Sequence, residues 1–178
     1  MYRHTTFDIG FIAHPKTAST SASRVLQKNK WFSNEPHHSA NPPYPKSIIS
    51  VIREPKDWYV SWYFHVKGKR NNDIGPFDEW LEKFIAEAKF PATPAFYGLP
   101  HTTHLLFYER LQPGLDAALL DLGLQPLELP FDNVRHRDGR PASDFFDQNS
   151  EKLVDKTLFV TYDSLKQKLG DEPYLRLR

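Results

Sequence analysis

Cysteine is absent from all 178 residues, so disulfides, a thiol nucleophile and thiolate metal ligation are excluded together. No stretch approaches the roughly 18 consecutive apolar residues that a membrane-spanning helix needs, and the opening MYRHTTFDIG lacks the apolar core of a secretion signal. A soluble, cytoplasmic chain with no membrane partner is the expectation. Neither sign of charge prevails, since 23 lysines and arginines face 22 aspartates and glutamates. The basic footprint of a nucleic-acid binder is missing, so no nucleic-acid partner is expected, although a local basic pocket is compatible with this balance. Glycine is missing where a nucleotide loop would place it. None lies between Gly10 and Gly68, which removes both the Walker P-loop, whose glycines precede its lysine, and the GxGxxG dinucleotide turn. Internal repeats and low-complexity tracts are missing as well.

What is present fits one domain, 1–178. An apolar share of 39% and a charged share of 25% are ordinary for a globular chain, and the length suffices for a core. Fifteen prolines call for many defined turns. FDIGFIA (7–13) alternates and then turns continuously apolar, as a buried parallel strand does, and SIISVI (47–52) and HLLFY (104–108) are read as two more strands. The spacing predicts helices over 19–30 and from Pro55 to about Val66, the second with Pro55 at its first position and Asp57 at the positive end of its dipole. A third covers 75–89, a fourth 114–123 closed by Gly123, and a last one roughly 149–169. Segment 34–45 is a proline-rich loop, and 132–147 is polar and rich in arginine. Strands alternating with helices predict an α/β fold, a parallel sheet flanked by helices on both faces. Ligands of such sheets sit beyond the carboxyl ends of the strands. Lys16 and Arg53 both fall there.

The stretch IAHPKTASTSASRVL (12–26) sets Lys16 and the hydroxyls of Thr17, Ser19, Thr20, Ser21 and Ser23 where a strand gives way to a helix. A helix N-terminus offers unpaired N–H groups and partial positive charge to a phosphate or sulfate. The hydroxyls add donors, one of them able to cap the helix, and Lys16 adds a full charge. Taken alone, the stretch is equally a capped helix with a surface lysine. VIREPKDWYVSWYFH (51–65) then sets Arg53 at a strand end and Ser61 on the next helix, roughly 9 Å along its axis from Pro55. An arginine bending back can share one phosphate with a hydroxyl at that distance. Alone, this pair is also a surface cation and a small packing residue. Trp58, Trp62, Phe64 and His65 offer rings to a base or a sugar, but their spacing suits a core better. His14 is read as a buried structural histidine or as a group behind the site.

Together the two stretches resemble the sulfotransferases that use 3′-phosphoadenosine 5′-phosphosulfate (PAPS), in their carbohydrate-type branch. PKTASTS (15–21) resembles the 5′-phosphosulfate loop. REPKDWYVSWY (53–63) resembles the 3′-phosphate motif, an R-x-P-x-D-x-x-x-S-x-Y pattern matched by Arg53, Pro55, Asp57, Ser61 and Tyr63. FDEWLEKFI, HLLFYERL followed by LLDLGL, and NVRHRDGRPASDFF extend the likeness over roughly residues 8 to 170. Ala18 departs from the pattern, since relatives often have glycine there.

The resemblance implies a P-loop NTPase-like sulfotransferase fold, PAPS as co-substrate, no metal, and a hydroxyl of a carbohydrate or small molecule as acceptor. It implies that Lys16, with the backbone donors of Thr17, Ala18, Ser19, Thr20 and Ser21, neutralises the oxygen between sulfur and the 5′-phosphate. Arg53 and Ser61 would hold the 3′-phosphate. NEPHHSA (34–40) lies where such enzymes carry a base, with His37 through Ala40 fitting a His-x-x-Ala pattern. We rank His37 first, then His38, then Glu35; a histidine with its ordinary pKa of about 6.5 suits that task at neutral pH. Arg135 and Arg137, with Arg140, lie in a loop that can close over the nucleotide or stand solvated. Two rival readings are a phosphotransferase of related architecture using ATP and magnesium, and a non-catalytic module binding a PAPS-like nucleotide.

Overall fold

In the computed structural model, which describes residues 1–12, 14–32, 43–70, 74–87, 99–130, 140–154 and 156–177, the three apolar runs form the centre of a six-stranded sheet. The chain order is β1 (Tyr2–His4), β2 (Ile9–Ile12), α1 (Ser19–Lys28), β3 (Trp31–Phe32), β4 (Ser47–Ile52), α2 (Pro55–Arg70) and α3 (Phe77–Glu87). There follow β5 (His104–Phe107), α4 (Leu111–Asp121), α5 (Gln148–Leu153), α6 (Lys156–Leu169) and β6 (Leu175–Arg176). The sheet order is β3-β1-β2-β4-β5-β6.

The expected all-parallel sheet is corrected to a mixed one. β2, β4 and β5 are parallel, with Ile12 opposite Ser50 and Ile52 opposite Phe107. β1, β3 and β6 pair antiparallel. The link Thr5–Asp8 between β1 and β2 is too short for a parallel crossover, so the chain folds back as a hairpin. β2, β4 and β5 are joined through helices, which lets their carboxyl ends meet at one edge.

Alternation along the strands divides their side chains between different helices. Phe11, Ile49, Val51 and Leu106 cluster with Ala22 and Leu26 of α1 and with Leu115, Ala118 and Leu119 of α4. Ile52, Leu105 and Phe107 cluster instead with Tyr162 and Leu169 of α6. α2 and α3 form an aromatic core of their own, in which Trp58, Tyr59, Tyr63, Phe77 and Trp80 are buried.

α1 ends two residues before its expected limit and α3 begins two after its own, and three helices depart further from the sequence reading. α2 runs through Gly68 to Arg70, because one glycine subtracts only about 1 kcal/mol from a helix. α4 begins at Leu111 rather than 114, placing Pro113 in the first turn, where its missing N–H costs no intrahelical bond. The last expected helix is two. Asp147 caps α5 through a reciprocal box with Ser150, and Val154 then turns to extended backbone while staying buried against the aromatic core. No helix among the described residues is long and apolar enough to cross a membrane.

Candidate functional site

The turn after β2 is built without glycine, yet Lys16 and Ala18 both adopt left-handed backbone, at φ 65° and 60°. Left-handed backbone costs an L-residue about 1–2 kcal/mol, and such strain persists only where surrounding bonds over-determine it. Those bonds are present. The Thr17 hydroxyl, buried, donates to the His14 carbonyl at 2.9 Å. Arg53 Nη1 donates to the Lys16 carbonyl at 2.7 Å, and Trp58 Nε1 donates to the Pro15 carbonyl at 2.9 Å. Two consecutive carbonyls are thus held by side chains, one from Arg53 between β4 and α2 and one from Trp58 in the first turn of α2.

α1 opens immediately after this turn. The expected hydroxyl cap is not made: Ala18 occupies the capping position and makes no side-chain cap bond. Ser19 spends its carbonyl on the Ser23 hydroxyl at 2.6 Å. Ser21 is buried, Ser19 half-buried and Thr20 exposed. A left-handed turn feeding an uncapped helix start concentrates backbone donors, the geometry that binds anions in nests. Lys16 stands half-buried at this turn.

Arg53 follows β4 and is 6% exposed. Its Nε pairs with Asp57 one helical turn on, and its guanidinium carbon lies 4.0 Å from the centroid of the Tyr108 ring. The sequence reading missed this engagement, although the i,i+4 spacing of Arg53 and Asp57 signalled it. The bond from Trp58 to Pro15 had no signal in sequence, because it joins residues 43 apart.

Beside Arg53 opens a cleft of about 570 Å³, lined by Glu54, Asp57, Tyr108 and Glu109 together with Lys56, Ala142 and Ser143. Glu54 caps α2, accepting from the amides of Lys56 at 3.1 Å and Asp57 at 2.6 Å. Burial nonetheless raises its pKa, against the lowering effect of those two amides. Glu109 accepts the Glu54 amide at 3.1 Å. Burial, followed by the charges of Glu109 and Glu54, also pushes the Tyr162 hydroxyl up. Three carboxylates make this cleft hostile to a polyanion. The face favourable to one is the 14–18 turn.

Ser61 lies half-buried on α2. His14 is buried. Trp58 is fully buried and stacks on Trp62, at 5.4 Å between centroids, so this aromatic run belongs to the α2–α3 core. Arg140 is exposed, its guanidinium over the Phe145 ring at 4.4 Å. Glu35, His37, His38, Arg135 and Arg137 lie outside the described residues. The structure therefore brings together Lys16, Thr17, Ala18, Ser19 and Arg53. No family model, curated protein or solved structure matches the chain.

Proposed function

We propose that the chain is a PAPS-dependent sulfotransferase of P-loop-like architecture, acting on a hydroxyl of a saccharide or small metabolite. The observation that carries this reading is the glycine-free left-handed turn at Lys16 and Ala18, its carbonyls tied back by Arg53 and Trp58 and leading into an uncapped helix. With those two carbonyls engaged, the amides that follow Thr17 would be the donors offered to a tetrahedral anion. The architecture is supported by the division of β4 and β5 side chains between α1 and α4 in one cluster and α6 in another, as expected of a sheet covered on both faces.

In this reaction an acceptor oxygen attacks sulfur in line. The bond from sulfur to the bridging oxygen breaks, and 3′,5′-bisphosphoadenosine leaves with the electron pair. Lys16 and the amides of 18–21 would offset the charge growing on that oxygen, the Thr17 amide being turned instead to the His14 carbonyl at 3.4 Å. The acceptor proton passes to a base, ranked His37, His38 and then Glu35. Arg53 and Ser61 meet the 3′-phosphate. Since Arg53 already holds Asp57 and the Lys16 carbonyl, the phosphate would bind at its remaining N–H groups. By the resemblance alone, Arg135 and Arg137 belong to a loop that would close over the nucleotide or stand solvated.

Two measurements test the proposal. Labelled sulfate should pass from PAPS to at least one member of a broad hydroxyl-acceptor panel. By calorimetry the bisphosphate should bind well above AMP, and Arg53→Ala should erase that difference. Equal affinity for the two nucleotides would defeat the assignment.

A further inference from the structure

We infer that Trp58 is a positioning residue for the 14–18 turn: its indole N–H fixes the Pro15 carbonyl so that the following amides present their donors to the 5′ end of the nucleotide. This inference rests on the proposed sulfotransferase reading. Trp58 is fully buried, and its donor reaches Pro15 at 2.9 Å. The ring itself is held from its own element and from α3: stacked on Trp62, edge-on to Tyr59 at 5.1 Å, and 6.3 Å from Phe84. A tryptophan has no polar group other than that N–H. Packing therefore fixes the ring, and its one polar atom is spent on the turn. The adjacent carbonyl, of Lys16, is held separately by Arg53. With one carbonyl anchored by Arg53 just ahead of α2 and the other by Trp58 within it, Lys16 and Ala18 keep left-handed backbone without glycine. Freed of one anchor, the turn relaxes toward right-handed or extended backbone, and its amides lose their common aim.

The test compares the wild type with a form carrying benzothienylalanine at 58, an indole isostere with sulfur in place of N–H, and with Trp58→Phe. Calorimetry uses 3′,5′-bisphosphoadenosine and AMP as probes. Affinity for both nucleotides should fall by roughly three- to tenfold, as losing one hydrogen bond implies. The ratio between the two should persist, because the 3′ contact at Arg53 is untouched, and binding stoichiometry should stay at one. Trp62→Phe disturbs the same stack without touching the turn, so it should bind as wild type does. If the isostere binds both nucleotides like wild type, the inference is overturned while the sulfotransferase reading stands. It is also overturned if Trp62→Phe weakens binding as much as the isostere does. If the wild type binds neither nucleotide, the functional reading itself has failed.

Discussion

Arg53 is a buried cation whose partners are an aspartate, a backbone carbonyl and a tyrosine ring. Removing it leaves Asp57 without its counter-charge and the Lys16 carbonyl without its donor. Arg53→Ala should therefore destabilise the fold by about 3 kcal/mol, within the range for deleting one member of a largely buried ion pair, as read from urea unfolding. Lys16 is the opposite case. At φ 65° it pays a conformational penalty that glycine would not, so Lys16→Gly should leave stability equal or raise it by about 1 kcal/mol. On the proposed sulfotransferase reading, the same change should lower sulfate transfer roughly 100-fold or more, the usual cost of losing a donor aimed at transition-state charge. A variant at least as stable as wild type and nearly inactive would separate chemistry from folding. Ala18, at φ 60°, predicts a related gain: Ala18→Gly should raise the thermal midpoint. The residues of the candidate site were legible in the sequence as types and spacings. Their partners were not, since Pro15 and Trp58, or Lys16 and Arg53, meet only through the sheet.

Among the elements, the long amphipathic helices and the fully buried strands were legible, because period and continuous apolarity each survive in a single window. β1, β3 and β6 were not. They span three, two and two residues, too few to show any period. What holds the last of them is contact at a distance. Leu175 and Arg176 pair with β5, the Tyr174 hydroxyl donates to Asp121 at 2.8 Å, and the Pro173 carbonyl packs on Gly114 of α4. A Cβ at Gly114 would lie 2.7 Å from that carbonyl oxygen. Gly114→Ala should thus cost about 1–3 kcal/mol through forced backbone displacement, partly offset by alanine's better helix propensity. A lower urea midpoint, with faster amide exchange over 173–177 than elsewhere, checks this; an unchanged midpoint contradicts it.

For the molecule as a whole, the groups joining β5, α4 and the C-terminal strand set a direction for pH. His104 is held below its ordinary 6.5, chiefly by burial and against the pull of Asp121. Asp121 is lowered by the Tyr174 hydroxyl first, then by His104. In both cases the unfolded chain takes up its proton at a higher pH than the folded one, so acidification favours unfolding. Stability should fall as pH drops below about 6.5 through His104, and again near the carboxylate range through Asp121. Glu54, raised by burial, acts in the opposite sense and softens the fall above its unfolded value. Between pH 7.5 and 5.5, His104→Asn should flatten the slope of unfolding free energy relative to wild type. An unchanged slope would show that His104 titrates alike in both states.

By itself the sequence determined the α/β class, the three central strands with their intervening helices, and the placing of Lys16 and Arg53 just beyond strand ends. All of these follow from local periodicity and from the rule that parallel strands carry their loops to one edge. The tertiary structure alone decided that the sheet is mixed, that Arg53 is buried against Asp57 and Tyr108, and that Arg53 and Trp58 hold two carbonyls of the 14–18 turn. Hydrogen bonds and ion pairs between residues remote in the chain depend on which surfaces the sheet brings within about 3 Å, and no pattern read along one strand or helix contains that distance.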